Sequence, residues 1–203
     1  MKPGHVWEPW SGGPDGTTDA HARSAVISDE VRRSILAVRS AISADRSLSM
    51  WISVPESTGA KGGGWVPSDL LAFFSEADGG IFGQVVIFDA MAANEMQFYA
   101  DRIEGVPVQL GPEVWFCFGK VGEDPLFIRR SDQSIWGFPD VGVLWWQSQV
   151  FEKVSDNLDS FLRHYVFGSG YRRLVGSVES DRWWELLCQT RSDGGTATRP
   201  VQL

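Results

Sequence analysis

The chain has 203 residues, of which 43% are hydrophobic and 10 are tryptophan, and it carries a formal net charge of −8. That apolar content excludes wholesale disorder, while the acidic balance repels phosphate backbones and argues against nucleic-acid binding. No apolar run approaches the roughly 20 residues that cross a bilayer, and MKPGHVWEPWSGG lacks the parts of a secretory signal, so a cytoplasmic protein without a membrane partner is expected.

Residues 1–24, rich in Gly, Pro, Asp and Thr, read as a loose N-terminal arm. Residues 25–190 then read as a single α+β domain, and 191–203 as a flexible C-terminal tail. Ile27, Val31, Ile35, Val38 and Ile42 recur at helical spacing, with Ser28 and Asp29 as start signals. ESTGAKGGG, residues 56–64, is a link rather than a phosphate loop, because it lacks the Gly-Lys-Ser/Thr ending.

Pro67 to Gly80 predicts a second helix with Ser68 as cap, Asp69 in the first turn, and Leu70, Leu71, Phe73, Phe74 and Ala77 as its apolar stripe. Gly79 or Gly80 supplies the left-handed stop, and Val85 to Phe88 follows as a strand. EVWFCFG is apolar on both faces, which suits a central strand covered on both sides. LFIRR and SIWGF pair as a hairpin across Ser131 to Ser134, and Val141 to Trp146 is a short strand or an edge segment. Residues 155–166 read as a helix stopped by Gly168 and Gly170, and Ser180 to Gln189 as another. Cys117 and Cys188 read as buried thiols.

The helix with its double-glycine stop, the VVIF strand, the acidic loop from Asp89 to Gly111, EVWFCFGKVG, PLFIRRSDQSIWGF and VSDNLDSFLRHYV occur in the order found in one family. Over about residues 65–175 the chain resembles the SUKH superfamily (Smi/Knr-type), which includes fungal cell-wall assembly regulators and many bacterial immunity proteins. It departs from the family at Ser131, Asp132, Gln133 and Ser134, which stand where the family has a glycine-containing turn. The resemblance implies an α+β fold, a twisted and mainly antiparallel sheet with helices packed against it. It also implies a non-catalytic immunity protein that docks on a cognate toxin. A regulatory scaffold like the fungal relatives is the alternative within the family.

Seven acids and two bases lie between Asp89 and Asp124, a net −5. Such a run is either a solvated face or a docking surface for a basic protein, here a basic toxin domain, with Asp101, Glu104, Glu123 and Asp124 as its candidate residues. Neighbouring residues of a strand point to opposite faces, so one ring of Trp145-Trp146 is expected at the surface, packed at an edge or serving as a binding anchor. Exposed tryptophans beside carboxylates also suit a glycan-binding or hydrolytic domain. None of the three histidines has metal-ligand spacing, and no G-x-S-x-G elbow occurs. Neither an enzyme nor a metal or other cofactor is expected.

Overall fold

The computed structural model describes residues 25–59, 65–101, 108, 111–139 and 142–193. The expected N-terminal arm, most of the GAKGGG link, Glu104 and nearly all of the C-terminal tail lie outside the described residues.

The chain opens with helix α1 (Asp29–Ala44), a 3₁₀ turn (Arg46–Met50) and strand β1 (Ile52–Ser53). Helix α2 (Ser68–Phe74) leads to β2 (Gly80–Phe82) and β3 (Val85–Ile87). Helix α3 (Ala90–Glu95) continues as a 3₁₀ turn (Met96–Ala100) ahead of β4 (Trp115–Val121), β5 (Asp124–Arg129), β6 (Ile135–Gly137) and β7 (Glu152–Ser155). The chain closes with α4 (Leu158–Phe161), a π-helical turn (Leu162–Val166), α5 (Tyr171–Val175) and α6 (Arg182–Asp193). The 7 strands form one sheet in sequence order, and every neighbouring pair is antiparallel. The fold is therefore α+β, as expected.

β4 is the buried centre. Trp115, Phe116, Cys117 and Phe118 are all buried, so both its faces need covers. Phe116 packs on Trp65, just ahead of α2, with ring centroids 5.2 Å apart, and Phe118 packs edge-on against Phe161 of α4 at 5.9 Å. On the other face Trp115 meets Trp136 and Phe151 at 5.4 and 5.0 Å.

Three expectations about local structure change. The helix expected from residue 155 starts later, because residues 152–155 form β7. Trp145 and Trp146 lie in a turn rather than a strand, held by Gln147 and Ser148 N–H donating to the Leu144 carbonyl at 2.7 and 3.1 Å. Ser68 does not cap α2: Pro67 takes the cap position, and Gln133 Oε1 accepts instead from the Asp69 N–H at 3.4 Å. Gln133 sits at φ 60°, a conformation that favours glycine. Its side chain also donates to the Arg130 carbonyl at 3.2 Å, so it closes its own hairpin while capping α2.

Carboxylates tie distant elements together. Asp69 accepts from the Leu158 N–H at the start of α4, 3.4 Å away, rather than serving its own helix. Asp159 accepts from the Ser28 N–H at 2.8 Å across 131 residues, and from Arg163 Nε at 2.9 Å. Burial works against the charged form of Asp159, but Ser28 and Arg163 outweigh it and hold the carboxyl below its ordinary range. Asp181 caps α6 through the Trp183 and Trp184 N–H groups at 2.9 and 3.1 Å and accepts from the Tyr171 hydroxyl at 2.6 Å. That hydroxyl in turn accepts from the Gln84 N–H at 2.9 Å, so one buried network fixes α5 and α6 to the β2–β3 turn. Burial, then Asp181, pushes the Tyr171 hydroxyl far above its ordinary value.

α2 ends at Phe74, with Ser75 still in the right-handed region as its cap, so neither glycine expected to stop the helix does so; Gly79 instead takes the left-handed conformation, at φ 74°, in the link to β2, and a Cβ there would lie 2.6 Å from the Asp89 nitrogen. Gly80 begins β2, where a Cβ would strike the Phe82 ring at 2.7 Å. Gly79→Val is expected to destabilise the fold by about 2 kcal/mol or more, read as a lower urea midpoint, and an unchanged midpoint would refute this role. Tyr171→Phe strands the Gln84 N–H and removes a donor from Asp181, for an expected loss of about 1–3 kcal/mol. Equal stability of that variant would show that the network contributes nothing.

Candidate functional site

The second face of β4 is covered by short, irregular chain. Asp89 caps α3 by accepting from the Ala92 N–H at 2.7 Å. Gln97 then pins the following 3₁₀ turn to β4, donating to the Cys117 carbonyl at 2.7 Å and accepting from its N–H at 3.1 Å. With that turn fixed, Phe98 and Tyr99 stack at 4.4 Å. Tyr99 meets the edge of Trp145 at 5.5 Å, and Trp145 meets Trp146 at 5.8 Å with the rings at 89°. The result is a chain of four rings with a protected middle and open ends: Trp145 is 8% exposed, whereas Phe98 and Trp146 are 54% and 47% exposed. Leu144 adds exposed apolar surface beside Trp146.

Carboxylates flank the rings. Asp101 is exposed immediately after the 3₁₀ turn, its N–H donating to the Phe98 carbonyl at 3.2 Å. Glu123 is exposed in the β4–β5 turn, with Lys120 Nζ 3.5 Å away. Asp124, half-buried at the start of β5, accepts from the Trp145 N–H at 3.1 Å and so sets the turn that carries both tryptophans. Burial raises the Asp124 pKa; the Trp145 N–H pulls it back and Glu123 adds to the rise. Burial also raises the Tyr99 pKa, and the charge of Glu123 acts in the same direction. Beside these carboxylates lies a cavity of about 300 Å³, lined by Glu123, Asp124, Glu152 and Phe138 and walled by Lys153 and Arg173.

Of the sequence-predicted residues, Glu123, Asp124, Trp145 and Trp146 therefore meet at one patch, with Asp101 joined to it through Phe98 and Tyr99. The latter two rings do not stand out in the sequence, where Asp89–Gly111 reads as a loop defined by its charges. An adjacent aromatic pair within an acidic stretch was the available signal. One further expectation fails: Cys188 is exposed, and only Cys117 is buried, its thiol pushed well up by burial.

Among the described residues no three His, Cys, Asp or Glu side chains converge on a common point as metal ligands, and no helix is long and apolar enough to cross a membrane. The chain matches no protein-family model and no curated protein.

The raised pKa of Asp124 gives a pH test. A carboxyl that holds its proton more tightly when folded contributes stability below its ordinary value, near 3.9, and loses that contribution as pH rises through the raised value. Asp124→Asn keeps an acceptor for the Trp145 N–H without the titration. Wild type is expected to lose stability relative to this variant as pH rises through that window, by denaturant titration at each pH. A gain over the same window would reverse the assignment.

Proposed function

We propose that the chain is a non-catalytic protein-binding domain of SUKH type, an immunity protein that acts in the cytoplasm by docking on a basic toxin domain. The observation that carries this reading is the ring chain Phe98–Tyr99–Trp145–Trp146, exposed at both ends and flanked by Asp101, Glu123 and Asp124. Protein interfaces concentrate binding energy in aromatic anchors at a desolvated centre, while rim charges mainly set association rate and partner choice. Phe98, Leu144 and Trp146 supply such a centre, and Asp101 and Glu123 supply acidic charge at its edge. The cavity beside Glu123 and Asp124, about 300 Å³ in volume, accommodates a single lysine or arginine side chain from the partner.

The test screens basic toxin domains for binding and, with the one that binds, measures association and dissociation rates at two salt concentrations. Trp146→Ala is expected to accelerate dissociation by about thirtyfold, equivalent to about 2 kcal/mol. The double variant Asp101→Lys, Glu123→Lys should instead slow association and flatten its salt dependence. Asp124 is left intact because it holds the tryptophan turn. Unchanged rates in both variants, each shown to be folded, would remove the patch from the interface.

A further inference from the structure

A second, larger groove of about 570 Å³ lies between β7 and the π-helical turn, and its lining has the opposite character. Lys153, Arg163, His164 and Arg173 line it together with one acid, Asp156, and the hydroxyl residues Ser160 and Ser169. From Lys153 to Arg173 the sequence carries four bases (Lys153, Arg163, Arg172, Arg173) and two acids (Asp156, Asp159), a net +2 in a chain of net −8.

The cations are held differently. Arg163 is oriented by Asp159 at 2.9 Å and by the Ser160 hydroxyl at 3.4 Å, through its Nε and one terminal nitrogen. Lys153 Nζ reaches the Asp156 carboxylate at 2.5 Å. Arg173 is exposed on α5, and among the described residues its guanidinium has no side-chain partner. An exposed arginine and an oriented one lining the same groove, together with hydroxyl residues, match an oxyanion that spreads two charges over several oxygens.

We propose that this groove binds the phosphate group of a small molecule. Lys153 and Arg173 also wall the smaller cavity, but there Glu123, Asp124 and Glu152 repel an anion, whereas the larger groove carries one carboxylate, Asp156, paired with Lys153, which directs the anion to the larger groove. The site goes beyond the docking function and stands without it, because it uses neither the exposed rings nor a protein partner.

The experiment is an amide NMR titration of the full chain with inorganic phosphate, with a nucleoside monophosphate, and with acetate as control. Saturable shifts are expected at Gly168, Ser169 and Arg173 with the two phosphates and not with acetate. Saturation by inorganic phosphate as tightly as by the nucleotide would assign the site to the free ion, and tighter nucleotide binding to a phosphomonoester. Arg173→Gln should weaken binding about tenfold. Arg172→Gln removes the same charge one residue away, outside the groove lining, and should leave affinity within about twofold. Equal weakening by both variants would reduce the effect to general electrostatics, and an absence of saturable shifts up to about 10 mM phosphate would overturn the site.

Discussion

Most of this architecture follows from the burial of strand β4 on both faces. A strand covered on only one side alternates apolar with polar residues, but Trp115, Phe116, Cys117 and Phe118 leave no face for water. One face meets helical chain, through Trp65 ahead of α2 and Phe161 of α4. The other is covered by α3, a 3₁₀ turn and the rings of Phe138, Trp145 and Phe151, none of which belongs to a long apolar stripe. Short irregular chain must cover a wide surface with few side chains, and large rings do this best. A ring broad enough to cover one neighbour also projects past it, which is why Phe98 and Trp146 reach solvent while Tyr99 and Trp145 fill the space beneath.

The internal use of carboxylates changes how the acidic composition is understood. A net −8 suggests a strongly negative surface, yet Asp69, Asp89, Asp159 and Asp181 each accept from a backbone N–H at or near a helix start, and Asp124 from the amide that sets the tryptophan turn. Those charges orient chain as well as project field. The exposed charge left for an outside partner near the rings narrows to Glu95, Asp101 and Glu123 among the described residues, fewer than the acidic run in the sequence implies. Loss of an internal carboxylate would therefore be felt as misplacement of an element, and loss of an external one as a change in association.

What could be read in the sequence was what repeats locally. The stripes of α1 and α2, the doubly apolar β4 and the β5–β6 hairpin each carry several residues in phase with their own geometry. β1 has 2 residues and β7 has 4, too few to establish a period, and β7 opens with Glu152 and Lys153 because it is an edge. The cap of α2 was illegible for another reason: its acceptor, Gln133, stands 64 residues away from the Asp69 N–H it serves. The patch was half legible. Glu123, Asp124 and the tryptophan pair announce themselves by charge and size, whereas the role of Phe98 and Tyr99 depends on Gln97 reaching Cys117 across the fold.

The bond between the Ser28 amide and Asp159 also orders events in time. A chain synthesised from its N-terminus exposes the start of α1 long before the carboxylate that completes it exists, with 131 residues still to be added. Until then α1 has its hydroxyl cap and its apolar stripe but lacks this anchor, and the strands it packs beside are still emerging. The fold closes like a clasp whose two halves are made 131 residues apart. Native α1 is in this sense a record that translation has passed residue 159, and a nascent chain halted earlier presents Val31, Ile35 and Val38 without their final cover.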